Sequence, residues 1–128
     1  MHERIINPTD GVYPATPDYV HALEVEGASR QLFVSGTMGL DVSGEPPETI
    51  DEQLHLIWNN IRSILGAADM TTDDIVRVTS YLTRPEYAEK NQNARLKALG
   101  ERRVPTTAIV VQTLSPSWLV EIEVIAVI

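Results

Sequence analysis

The apolar residues between positions 50 and 68 form one stripe at helical spacing, and this stripe limits the fold more than any other feature. They are Ile50, Leu54, Ile57, Trp58, Ile61, Ile64, Leu65 and Ala68. Side chains three or four positions apart share one face of an α-helix, so the pattern predicts a helix from about Ile50 to Ala68 with that face, including Trp58, in the core. Thr49, with Glu52 three positions later, fits a capping box at its start.

The rest of the chain predicts β-strands and a second helix, separated by clusters of proline and glycine. The β-branched and apolar runs that predict strands are 19–25, 31–35, 73–82, 106–113 and 119–128. The segment 26–30 predicts a hairpin between the first two, and residues 86–99 predict a helix closed by Gly100. This order is typical of an α+β fold, with two helices covering one face of a sheet.

The last strand has apolar side chains on both of its faces. Val120, Ile122 and Val124 point to one side, and Ile125 and Val127 point to the other. If two helices cover only one face of the sheet, the other apolar face needs a partner, and closed symmetric assembly is the usual solution. The pattern therefore predicts a homo-oligomer.

Length and composition exclude several classes of protein. At 128 residues the chain is expected to form one domain, residues 1–128. It contains no cysteine, which excludes disulfides, thiolate catalysis and cysteine-ligated metal. A formal net charge of -8 disfavours nucleic acid as a partner. No apolar run is long enough to span a membrane, so we expect a cytoplasmic protein.

The histidines lack the spacing of a metal site, and no glycine-rich phosphate-binding loop is present. We therefore expect neither a metal ion nor another cofactor. His21 stands alone in a predicted strand and is expected to have a structural role.

Four segments, in the right order along the chain, resemble motifs of the Rid (YjgF) family. Residues 32–36 resemble its hydrophobic-Ser-Gly strand end, and Tyr19 stands at the tyrosine of its Gly-Pro-Tyr motif. Residues 86–91 resemble the stretch that leads to its helix asparagine, and residues 120–127 its terminal hydrophobic-Glu-Ile-Glu strand. The resemblance implies a chorismate-mutase-like (YjgF-like) domain. It also implies a homotrimer in which the sheets form a central barrel, with clefts between subunits that bind a small molecule.

The resemblance implies a set of residues for that cleft. Glu121 matches the family glutamate thought to position or activate a water molecule, so it is the expected catalytic residue. Tyr19, Ser35, Asn91 and Ile109 are expected to contact the substrate.

One position departs from the family. Imine-hydrolysing members carry Pro-Ala-Arg-Ser or Pro-Ala-Arg-Thr before the penultimate strand, whereas residues 105–108 here read Pro-Thr-Thr-Ala. Thr107 therefore replaces the arginine that forks onto a substrate carboxylate, and its hydroxyl offers one neutral hydrogen bond of about 1 kcal/mol. Arg102 or Arg103 could substitute for it, although solvent exposure is the expectation for both.

Each candidate also has a structural interpretation. Glu121 could be a carboxylate at a strand end, and Ser35 a turn at a strand end. Tyr19 could fill an interface, and Asn91 could pair locally on its helix. Glu123 shares the face of Glu121, because strand residues alternate, and is expected to pair with an arginine across a subunit boundary.

Two functions remain open at this stage. One is hydrolysis of an imine, enamine or related metabolite by water addition at Glu121, with uncharged recognition at Thr107. The other is a ligand-binding or regulatory trimer without catalysis. A ribonuclease, an activity sometimes attached to the family, is disfavoured by the acidic composition and the absence of a histidine pair.

Overall fold

The computed structural model describes all 128 residues, which form six strands, two helices and two short 3-10 turns. The strands are β1 (His2–Ile6), β2 (Ala22–Glu26), β3 (Gln31–Met38), β4 (Ile75–Leu82), β5 (Thr106–Val110) and β6 (Val120–Val127). The helices are α1 (Ile50–Ala67) and α2 (Ala88–Leu99), and the 3-10 turns are Thr72–Asp74 and Pro85–Tyr87. Neither helix combines the length and the apolar character that crossing a bilayer requires.

The helix predicted from the apolar stripe is α1, and its bounds agree within one residue. Ile57, Ile61 and Trp58 are buried against the sheet, as the stripe predicts. Full burial of one such side chain stabilises the fold by about 1.5–3 kcal/mol. Ile64 is the exception, because it lies at the edge of the stripe and is exposed. The hydroxyl of Thr49 accepts the amide of Glu52, the third residue of the helix, which is one half of the predicted capping box; the side chain of Glu52 does not form the other half.

Four strands form a mixed sheet in the order β3-β6-β4-β5. β6 is antiparallel to both of its neighbours, while β4 and β5 are parallel. Val120, Ile122 and Val124 of β6 are buried in one core with both helices, so the α+β fold with two helices on one sheet face is confirmed. The edge strands are β3 and β5, and the opposite face, hereafter the open face, carries no helix.

The predicted hairpin between the first two predicted strands is wrong. β2 pairs with β1, for which the sequence predicted no element, and this two-stranded sheet is separate from the main one. β3 pairs with β6 instead. The turn after β2 is held to the chain's end, because the amides of Ser29 and Arg30 both donate to the carbonyl of Ile128. These bonds direct β3 along β6 rather than back along β2.

Several predicted ends moved: β2 begins at Ala22 rather than at position 19, and β4 begins at Ile75 rather than at position 73. β3 continues past Ser35 to Met38 through an irregular step, and β5 ends at Val110 rather than at position 113. α2 begins two residues later than predicted, because Pro85 starts a 3-10 turn. Gly100 ends α2 as predicted, with a φ of 63° that favours glycine.

The open face is mixed rather than apolar throughout, which corrects the expectation from β6. Glu121, Glu123 and Ile125 point to this face, while Val127 is buried. Two large apolar side chains remain uncovered on it, Phe33 at 70 % and Ile109 at 44 % exposure.

Candidate functional site

The carboxylate of Glu121 lies on the open face, against the backbone of β3. Between Val34 and Thr37 the β3–β6 register shifts, so that Ser35 and Gly36 together oppose one residue of β6 in a bulge. A Cβ atom on Gly36 would lie 2.7 Å from Oε2 of Glu121, so a side chain at this position would displace the carboxylate from its place. No side chain of the same protomer hydrogen-bonds or ion-pairs with Glu121. The face therefore presents a carboxylate free to act on a ligand or water molecule.

The second carboxylate, Glu123, is occupied. Its Oε1 accepts a hydrogen bond of 2.5 Å from the hydroxyl of Tyr81 on β4. This bond, together with desolvation, raises the pKa of Tyr81, because the anionic phenolate would face a carboxylate. The sequence predicted an arginine from another subunit as the partner of Glu123; within the protomer the partner is Tyr81. Two neighbouring glutamates thus have different surroundings, one free and one bound.

The raised pKa of Tyr81 predicts how stability depends on alkaline pH. The folded protein holds the phenol proton more tightly than the unfolded chain does, so this stabilisation is complete below about pH 10 and is lost as pH rises through the folded pKa. Tyr81→Phe is expected to decline less in unfolding free energy between about pH 9 and 11 than the wild type, measured by urea denaturation. Tyr13→Phe, at an exposed position, is the control and should follow the wild type. Parallel curves for all three proteins would contradict the bond to Glu123.

Thr107 lies on the open face of β5, opposite Thr79 of β4. Its Oγ1 accepts a hydrogen bond of 3.0 Å from Nη2 of Arg77, the preceding open-face residue of β4. A guanidinium from the neighbouring strand therefore lies beside Thr107. A cavity of about 170 Å³ next to it is lined by Arg77, Glu123 and Phe33, among others.

Arg102 and Arg103, the two possible substitutes, were expected to be solvent-exposed but are engaged in contacts. Arg102 forms a two-pronged ion pair with Glu3 of β1 and donates to the carbonyl of Ile75. Arg103 donates to the carbonyls of Pro17 and Gly100. Neither is freely solvated, which corrects that expectation, and neither reaches Thr107.

The remaining predicted residues are only partly brought together. Ser35 is exposed in the bulge of β3, next to Gly36, and Ile109 lies opposite Tyr81 on the open face. Tyr19 belongs to the loop before β2, where its ring meets the edge of His21. Asn91 is buried on α2, with its Oδ1 unpaired. Within one protomer, Glu121, Ser35, Thr107 and Ile109 thus share a face that Asn91 does not reach.

Tyr19 is fixed by a buried ion pair next to it. Arg95 of α2 donates to the carbonyl and to Oδ2 of Asp18, at 2.7 and 2.8 Å. Burial alone would raise the pKa of Asp18, but hydrogen bonds from Thr16 and Arg95 outweigh it, and the pKa is lowered. His21 binds the carbonyl of Tyr13, in keeping with a structural role. No cluster of three or more side chains suited to hold a metal ion is present.

Sequence reasoning missed three residues of the open face, namely Gly36, Arg77 and Tyr81. The signal for two of them was the alternation of β4, in which Arg77, Thr79 and Tyr81 form the polar series between buried positions. The contact of Arg77 with Thr107 joins residues 30 positions apart and depends on the pairing of β4 with β5.

The fold and this face define the class of protein. Over the full length of both chains, the structure matches a conserved Rid family protein of unknown function from Yersinia pestis, with a TM-score of 0.86 and 27 % identity. A family model described as Endoribonuclease L-PSP matches residues 11–128. The chain belongs to this family and is a Rid (YjgF-like) protein, as the motifs predicted.

Two relatives show the extent of the sequence similarity. A RutC family protein of Pyrococcus abyssi is 31 % identical over 133 aligned positions, which cover 98 % of each chain. The RutC family protein YjgH of Escherichia coli is 44 % identical over 55 residues, which are 43 % of this chain and 42 % of YjgH. The latter match therefore spans less than half of that relative.

Proposed function

We propose that this protein hydrolyses a small imine, enamine or related metabolite by adding water, and that it is not the usual 2-aminoacrylate deaminase of its family. The observation that carries the proposal is the carboxylate of Glu121, which lies without a partner on an open face and is given its space by Gly36. Glu123, two residues away on the same strand, is instead held by Tyr81. Only one of the two glutamates is thus free to take a proton.

The chemistry assigned to Glu121 is general base catalysis followed by return of the proton. Its carboxylate takes a proton from water as the oxygen attacks the imine carbon, and the former imine nitrogen is protonated to give a carbinolamine. The carbon–nitrogen bond then breaks as the hydroxyl proton passes to the departing nitrogen, so that ammonia leaves and the carbonyl forms. An imine and one water molecule become a carbonyl compound and ammonia, with no redox change and no cofactor.

The positions of Thr107 and Glu121 favour a site formed by two subunits. Thr107 lies on β5, two strands away from β6, and Glu121 is two residues along β6 from Glu123, the residue level with Thr107. At ordinary strand spacings the Cα atoms of Thr107 and Glu121 are therefore about 12 Å apart. Glu121 also leans toward β3, away from β5. Because β3 and β5 are the two edge strands, a closed ring of sheets would bring the β3 edge of one subunit beside the β5 edge of the next.

We therefore take the working protein to be a homotrimer with a central barrel and three clefts. Exposed Phe33 and Ile109, near the two edges of the open face, would be covered in such a ring. Each cleft would contain Glu121 and Ser35 from one subunit and Thr107 and Ile109 from its neighbour. Tyr19, on a loop, and Asn91, on a helix, would contact the substrate only if the neighbouring subunit brings the cleft to them.

A second candidate is a trimer that binds a small ligand without turnover. The replacement of the family arginine by Thr107 favours it, because substrate binding would be weakened. A ribonuclease is disfavoured: the chain's net charge is -8, and the open face carries two glutamates and none of the three histidines.

The two functions differ in a direct assay. A panel of imines generated in situ from amino acids is presented to the wild type and to Glu121→Gln, and carbonyl release is followed. The proposal expects at least one imine to be hydrolysed by the wild type faster than by the variant. Equal rates in both proteins would overturn the mechanism. A compound that raises the melting temperature without any turnover would favour the binding function instead.

A further inference from the structure

Arg77 carries a charge that the protomer leaves unused. Its guanidinium makes one side-chain hydrogen bond, to the neutral hydroxyl of Thr107, and no carboxylate of the chain lies within ion-pair distance of it. A guanidinium has five N–H donors, so most of them are available for a ligand. Glu123 lines the same cavity, but its Oε1 accepts the hydroxyl of Tyr81.

Thr107 is oriented to assist this cation. Because its Oγ1 accepts from Arg77, its own O–H proton is directed elsewhere and can be donated to a ligand. A hydroxyl bound to a cation is a stronger donor than a free one, since charge polarises the chain of hydrogen bonds. Arg77 and Thr107 together therefore offer the N–H and O–H donors that a carboxylate or a similar planar anion accepts.

We propose that Arg77 is the anion-recognition residue of this protein and that Thr107 positions it. The position on β5 that lost its arginine is thus supplied with a guanidinium from β4. The substrate expected from this is an anionic imine in place of the neutral one that Thr107 alone suggests. Because the guanidinium comes from β4 and not from β5, the carboxylate of this substrate would be held at a different place from that of 2-aminoacrylate in the family's deaminases. This inference rests on the proposed function for its kinetic test, although anion binding can be measured without turnover.

The kinetic test compares a carboxylate-bearing imine with its methyl ester. Arg77→Gln is expected to raise KM for the carboxylate about 10- to 100-fold, the range of one or two lost charged hydrogen bonds, with kcat within about threefold. The ester should be unaffected. Arg62→Gln, which removes the same charge from exposed α1, is the control for net charge and should match the wild type. Arg77→Lys should recover only part of the affinity, because an ammonium lacks the planar fork.

A charge exchange distinguishes recognition from loss of structure. The double variant Arg77→Thr with Thr107→Arg returns a guanidinium to β5 and is expected to bring KM for the carboxylate back to within about tenfold of the wild type. Unchanged KM in Arg77→Gln, with hydrolysis still dependent on Glu121, would overturn the role of Arg77 and leave the proposed function intact.

Binding alone provides the measurement if the wild type shows no turnover. Propionate and propionamide are titrated by NMR into the wild type and into Arg77→Gln. The inference expects propionate to bind the variant at least about fivefold more weakly while propionamide binds both proteins equally. Equal propionate affinities in the two proteins would overturn it.

Discussion

Glu121→Gln is expected to lower kcat by about 10²- to 10⁴-fold on any imine that the protein hydrolyses, the range for loss of a general base. Glutamine keeps the size of the side chain and its contact with the Gly36 bulge, but its amide cannot take a proton from water. KM should change little, because the lost interaction forms in the transition state. Stopped assays of ammonia release and of the carbonyl product would measure the change.

The matched control is Glu123→Gln, on the same strand and the same face. Its carboxylate is bound to Tyr81, so it is not expected to take a proton from water. We expect a loss of less than about tenfold for this variant, caused by the disturbed hydrogen bond. Equal losses in Glu121→Gln and Glu123→Gln would show that the general loss of negative charge matters, and not the free carboxylate.

Arg95→Met is expected to lower the free energy of unfolding by about 3 kcal/mol, because removal of one partner of a buried ion pair leaves the other charge buried and unpaired. The side chains of Arg95 and Asp18 are only 4 % and 17 % exposed. The lowered pKa of Asp18 adds a pH dependence: its stabilisation is present above about pH 4 and is lost as pH falls through the folded pKa. Urea denaturation at one fixed protomer concentration measures both effects.

Lys90→Met supplies the comparison on the same helix. Lys90 pairs with Asp51, but the side chains are 53 % and 68 % exposed, and such pairs contribute about 0–1 kcal/mol. A loss in Arg95→Met no larger than in Lys90→Met would contradict the structural role of the buried pair. Because that pair holds the backbone beside Tyr19, Arg95→Met should also weaken any substrate contact made by Tyr19.

The elements predicted correctly are those that depend only on the spacing of apolar residues close together in the sequence. The stripe of α1 needs only a period near 3.6, and the alternation of β6 needs only a period of two, so both appeared at the correct places. The same alternation placed Glu121 and Glu123 on one face. The layer order followed, because two helices can cover only one face of a sheet of this size.

The sequence alone could not predict which strands pair, or that a guanidinium lies beside Thr107. The hairpin was predicted because β2 and β3 are adjacent in the sequence. In the structure, a backbone hydrogen bond from Ser29 to Ile128 instead holds the turn after β2 to the end of the chain. For a related reason, the position of Arg77 beside Thr107 could not be predicted. Its contact with Thr107 exists only because β4 and β5 pair in parallel across α2. Sequence proximity pointed instead to Arg102 and Arg103 as possible substitutes, and both are engaged in other contacts.

Complementation between two inactive subunits tests most directly whether each site is shared between neighbouring subunits. Glu121→Gln lacks the base, and Thr107→Trp blocks the other half of the cleft; differently tagged, they are co-expressed at equal levels and purified through both tags. If each site joins Glu121 of one subunit to Thr107 of the next, every mixed trimer selected by the two tags has one intact cleft of its three, and hydrolysis returns toward about one third of the wild-type rate. Activity no higher than that of either variant alone would contradict a site shared between subunits.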